Sequence, residues 1–199
     1  MVDKADPNSR LYEIAERQAG YFTAAQALEV GYSYASQNYH HKAGNWLRDG
    51  WGIYRLAHFP RTPDEELVRL MLWSRDRAGV VQAVISHESA LQAYELSDVL
   101  PSETHLTVPR GFRKKPPEGV VLHRGELQEG DVRERDGYRI TTPLRTLLDV
   151  AASSLSPEHL ETAAQEALER GLVRRSRLEE ALRGASDEQK ERFASLGLP

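Results

Sequence analysis

The chain has 199 residues, 40% of them hydrophobic and 28% charged, with a net charge of −4. That is enough to bury one large core or two small ones, and too acidic overall for a bulk polyanion binder, so any basic surface must be local. The absence of cysteine excludes a disulfide scaffold, a thiol nucleophile and thiolate-ligated zinc or iron–sulfur sites, and a polar start with no long apolar run leads to the expectation of a cytoplasmic protein without membrane contact.

Leu11, Ile14 and Ala15 fall on one face of a helix that Gly20 can end. Thr23-x-x-Gln26 has capping-box spacing for a second helix, with Ala24, Ala27 and Leu28 inward and Gly31 as its stop. Ser33 is a good N-cap for a third helix running to Lys42 or Ala43 before Gly44. Trp46-Leu47-Arg48 and Trp51 to Leu56 flank Asp49-Gly50, a hairpin signal. Helix, short helix, Gly turn, polar helix and hairpin is the layout of a winged helix-turn-helix.

In that layout the third helix presents polar side chains to base edges in the major groove. Ser33, Tyr34, Gln37, Asn38 and His41 are the candidates, Gln37 and Asn38 for adenine, with Lys42, Arg48 and Arg55 for phosphates. Residues 31–61 hold four Lys/Arg and one acid, a local excess of +3 in an acidic chain. Tyr39, Trp46 and Tyr54 are expected in the core. His40-His41 point roughly 100° apart and do not suggest a metal site. The same topology serves protein docking, and the pattern alone leaves DNA and protein partners both open.

Residues 57–63 (AHFPRTP) read as a linker, giving a domain at 1–60 and another at 61–199. Thr62-Pro63-x-Glu65 starts a helix through Leu67, Leu70 and Met71. Strands are expected at 80–86, 105–109 and 120–124, a helix from His87 to Leu96 with Ser86 as its N-cap, and a hairpin around Asp136-Gly137. Helices start at Thr142-Pro143, Ser156-Pro157, Ser176 and Ser186. The fold class is α+β: a winged helix-turn-helix followed by a mixed α/β domain with a small sheet and C-terminal helices. The loop carrying Arg110, Arg113, Lys114 and Lys115 is a second candidate phosphate contact. His105 and His123 lie on separate strands and are candidate neighbours. Arg145 is matched by Asp149 at i+4.

Motifs for chemistry are sparse. His87-Glu88 lacks the second histidine of HExxH, and there is no GxSxG, Walker loop or GxGxxG. Glu188-x-Lys190 has the spacing of a nuclease ExK but sits beside a helix cap. No catalytic residue, metal or cofactor is expected.

AVISHESALQAYELSDVLP (83–101), HLTVPRGFRK (105–114), VVLHRGEL (120–127), GYRITTPLRTLLDVA (137–151) and the helix before GLV (171–173) resemble the C-terminal domain of AbiEi-type antitoxins. Thr23-Ala24, Gly31, Lys42-Ala43-Gly44 and Trp46…Gly52-Ile53-Tyr54-Arg55-Leu56 resemble the winged-helix half of the same proteins, although Gln37 and His40 occupy slots often apolar or basic there. The resemblance implies a transcriptional autorepressor that binds double-stranded DNA at inverted repeats in its own promoter. It also implies an antitoxin of a type IV pair, opposing a nucleotidyltransferase-type toxin with no need for a stable complex, as a monomer or a dimer formed on DNA. A protein-interaction module without specific DNA recognition is the alternative, and a degenerate nuclease the third reading.

Overall fold

A computed structural model describes residues 6–50 and 52–197. Trp51, expected to flank the hairpin turn, lies outside the described residues, as do the extreme ends of both expected domains. The fold is α+β and divides into two compact units, residues 1–82 with 135–138, and 83–134 with 139–199. The break expected at residue 60 therefore falls inside the first unit.

The first unit contains helix α1 (Pro7–Glu16), strand β1 (Tyr21–Thr23), helices α2 (Ala24–Val30) and α3 (Tyr34–Lys42), strands β2 (Trp46–Arg48) and β3 (Ile53–Leu56), and helix α4 (Glu65–Ser74). This order is compatible with a winged helix-turn-helix. The strands form an antiparallel sheet ordered β1-β3-β2. Helix α2 starts where the capping box requires: the Thr23 hydroxyl accepts from the Gln26 N–H, and the Gln26 side chain accepts from the Thr23 N–H. It stops at Gly31, whose φ of 114° only glycine adopts without strain. Tyr32 and Ser33 then lead into α3. The core beneath is aromatic: Phe22 meets Trp46 edge-on at 4.8 Å, Tyr32 meets Trp46 at 4.9 Å, and Tyr54 stacks on Phe22 at 5.9 Å. Ala27 and Val30 are α2's buried residues, whereas Leu28, expected inward, is exposed.

Helix α4 begins three residues after the expected Thr62 cap, because Glu65 faces Arg55 and Arg61 instead of capping. Its buried residues are Val68, Leu70, Met71, Leu72 and Ser74.

The second unit carries β4 (Val84–Ile85), α5 (His87–Tyr94), β5 (Thr104–Val108), β6 (Val120–Arg124), β7 (Val132–Arg135), β8 (Tyr138–Thr141), which with β7 straddles the unit boundary, and helices α6 (Pro143–Ala151), α7 (Pro157–Glu169), α8 (Arg175–Arg183) and α9 (Asp187–Ser195). The sheet order is β6-β5-β4-β8-β7. Of the expected strand at 80–86 only Val84–Ile85 pairs. β5 and β6 run parallel, as do β4 and β8, while β4 and β5 are antiparallel. Thr142, Ser156 and Ser186 cap α6, α7 and α9 as expected; α8 starts at Arg175, which leaves Ser176 inside it. The helical core is mostly aliphatic, with Leu91, Leu147, Val150, Leu160, Ala163 and Leu178 closed from solvent beside the ring of Phe193.

Candidate nucleic-acid interface

Helix α3 begins at Tyr34 because Ser33 is extended and its hydroxyl accepts the Ser36 N–H at 3.1 Å. Gln37 fixes the rotation of the helix. It is 2% exposed, and its Nε2 donates to the Ala24 carbonyl at 3.1 Å and the Tyr32 carbonyl at 3.4 Å. Gln37 is thus a correction among the expected base-contacting residues: its amide bonds inside the fold and its side chain is shut from solvent. A helix that turns Gln37 inward turns Tyr34, Asn38, His41 and Lys42 outward, and all four are exposed.

Tyr39 is a second correction. Expected in the core, it is 66% exposed. His40 takes the inner slot instead, its ring stacked on Trp46 at 4.8 Å and edge-on to Tyr32 at 5.4 Å. His41 keeps to the surface, with Nδ1 3.2 Å from the Trp46 carbonyl.

The wing follows. Its strands are joined by residues 49–52, longer than the two-residue Asp49-Gly50 turn expected, and the Asp49 N–H donates to the Ile53 carbonyl at 2.9 Å. Arg48 is exposed at the end of β2, beside the exposed Leu47. Arg55 is the third correction. At 4% exposure, its guanidinium donates to the carbonyls of Phe59 at 2.8 Å and Pro60 at 3.0 Å, and meets Glu65 at 3.3 Å. It also lies 5.8 Å from the centre of the Tyr21 ring, whose hydroxyl is pushed up to about 12 by burial and by the nearby carboxylates. Arg55 ties the turn after β3 to α4 and is closed to phosphate. The sequence held a sign of this: Ile53 and Arg55 are two apart on a strand and share one face.

In the second unit Arg110, Arg113, Lys114 and Lys115 are exposed on the loop from 109 to 119. A different group of polar residues is gathered inside. The β5–β6 register sets Thr107 opposite His123. His105 Nδ1 lies 3.0 Å from His123 Nε2 and 2.9 Å from Glu88 Oε2, and the His87 and His123 rings stack at 3.5 Å. The expected nearness of His105 and His123 holds; the arrival of His87 and Glu88 was not visible, because it depends on the pairing of the two-residue strand β4 with β5, which no local pattern signals. Ser86 occupies the N-cap position of α5, yet its hydroxyl accepts from Thr107 at 2.8 Å and meets His87 instead of capping. His87 sits at φ 51°, a left-handed conformation costly for a residue with a Cβ. Burial and the facing His123 hold its imidazole down to about 3. Burial works against ionising Glu88, but hydrogen bonds from His105 and Ser153 outweigh it and lower the carboxyl to about 2. At neutral pH His87 is therefore a neutral imidazole and Glu88 a carboxylate. Among the described residues no three such side chains converge as a metal site. Arg145 bridges Asp149 at 2.7 Å and Asp131 at 2.9 Å, and burial raises Asp149 to about 6 despite that partner. Glu188 and Lys190 lie exposed on α9, on a solvated helix surface with no strand beneath them.

Comparison with known proteins adds three findings. Residues 78–196 match the AbiEi antitoxin C-terminal domain family. The crystal structure of the RV2827C protein from Mycobacterium tuberculosis is similar in fold, with a TM-score of 0.57 at 16% identity over 96% of this chain and 75% of that one. No curated protein matches in sequence. No helix among the described residues is long and apolar enough to cross a membrane.

Proposed function

This chain belongs to the AbiEi antitoxin family, and on that premise we propose that it is a DNA-binding autorepressor as well as the antitoxin of a toxin–antitoxin pair. Helix α3 enters the major groove, with Ser33, Tyr34, Asn38 and His41 toward the bases and Lys42 toward the backbone; Arg48 on the wing contacts phosphate. Arg113, Lys114 and Lys115 add phosphate contacts from the second unit. Two copies on an inverted repeat cover half-sites one helical turn, or a multiple of it, apart. The toxin it opposes is of nucleotidyltransferase type, as the family resemblance implies.

The observation that carries this reading is the exposed row on α3, held in place from below by Gln37. Fluorescence anisotropy with the duplex upstream of its own gene, against a scrambled duplex at two salt concentrations, tests it. Tight, selective and salt-weakened binding is expected. One observation favours a second reading: Tyr34 at 71% and Tyr39 at 66% exposure also suit a protein-docking surface. Equal affinity for both duplexes, with salt-insensitive capture of the toxin through Tyr34 and Tyr39, would select it.

A further inference from the structure

Resting on the repressor reading, we propose that the operator half-site is read through an A·T step, its adenine by Asn38 and a neighbouring thymine methyl by Ala35 and Tyr34. At 100° per residue, the outward sector of α3 spans about 120° and contains His41, Tyr34, Asn38, Lys42 and Ala35, all exposed. Gln37 and His40 are turned to the core.

Guanine shows the major groove two acceptors, which a guanidinium fork matches. Helix α3 has no arginine, and of the two arginines on the wing strands one is buried and the other lies at the end of β2. Lys42 closes the last turn of α3, whereas the N-terminal residues of such a helix meet base edges. Adenine shows one acceptor and one donor, which only a carboxamide matches in two-point fashion. The helix has two carboxamides. Gln37 is bonded to Ala24 and Tyr32. Asn38 is exposed and, among the described residues, makes no hydrogen bond through its amide. Thymine differs from cytosine by a methyl group that needs apolar surface; Ala35 and the 71% exposed Tyr34 ring lie on the same sector, one turn before Asn38.

The test uses the full chain and the duplex upstream of its own gene. Single base-pair substitution first locates the positions that matter. At those positions 7-deazaadenine replaces adenine, removing the N7 acceptor, and uracil replaces thymine, removing the methyl. The expected result is A·T pairs at the sensitive positions. At one of them 7-deazaadenine should weaken wild type about tenfold or more and leave Asn38→Ala unchanged, and uracil should weaken binding about fourfold. Asn38→Arg should move the preference at that position toward G·C. Selective binding in which the sensitive positions are G·C, or in which Asn38→Ala feels 7-deazaadenine as wild type does, overturns the assignment and leaves the repressor reading standing. Absence of any preference for the upstream duplex overturns both.

Discussion

The two units handle polarity in opposite ways. The first packs its rings inside, Phe22, Tyr32, Trp46 and Tyr54 around one another, and sends its polar row outward along α3. The second packs Leu, Val and Ala inside its helices and draws polar groups inward, with His87, His105, His123 and Glu88 in mutual contact. Outward polarity is free to meet a ligand and is sensitive to salt. Inward polarity is sensitive to pH, because each buried proton position is fixed by its neighbours.

The hardest way to break this contrast is through the aromatic core. Phe22→Ala or Trp46→Ala should cost about 3–5 kcal/mol in urea denaturation, and should abolish DNA retention along with the fold. Next, the two wing arginines should separate cleanly. Arg55→Ala strands the Phe59 and Pro60 carbonyls and leaves Glu65 with Arg61 alone, at a cost of about 3 kcal/mol. Arg48→Ala should stay within about 0.5 kcal/mol of wild type in stability while lowering the salt slope of DNA binding by about one unit. Adjacent residues on α3 should diverge in the same sense. Gln37→Ala loses the tie to Ala24, about 1–3 kcal/mol, and Asn38→Ala changes stability by about 0.5 kcal/mol or less.

The inward cluster supplies the most diagnostic effect. His87 titrates near 3 in the fold against 6.5 ordinarily, so its contribution is complete above pH 6.5 and is lost as pH falls, since the unfolded chain takes the proton first. Glu88, lowered from 4.5 to about 2, acts in the same direction at lower pH. Asp149, raised from 3.8 to about 6, opposes them: its folded form takes up a proton as pH drops below 6. Hydrogen exchange on β5 and β6 amides, corrected for intrinsic rates, should show weaker protection at pH 5 than at pH 7. His87→Asn, which tolerates the left-handed backbone, should flatten that dependence. Unchanged protection in wild type would mean that the cluster carries no such coupling.

What could be seen in advance follows from range. The caps at Thr23, Ser33, Thr142, Ser156 and Ser186 are decided within four residues, and each helix starts where its cap stands. The inward turn of Gln37 depends on a carbonyl thirteen residues back, and the burial of Arg55 on Glu65 and the turn at Phe59–Pro60. Polar side chains at such positions look the same in the sequence whether they face solvent or a distant partner. Strand β1, three residues long, is too short to show a period. The histidine cluster needed the parallel register of β5 on β6, which no turn between them announces.

That register also governs how the chain may be edited. Two parallel neighbours of five residues, β5 and β6, require the connection to travel back the length of a strand, about 17 Å. Residues 109–119 can stretch about 36 Å, roughly twice the distance. The segment that carries Arg110, Arg113, Lys114 and Lys115 therefore has slack. Several residues could be removed without unpairing the strands, and insertions would add only a fraction of a kcal/mol of closure entropy. The sheet does not set its length, and a ladder of shortened variants would measure how much of it the proposed phosphate contacts use.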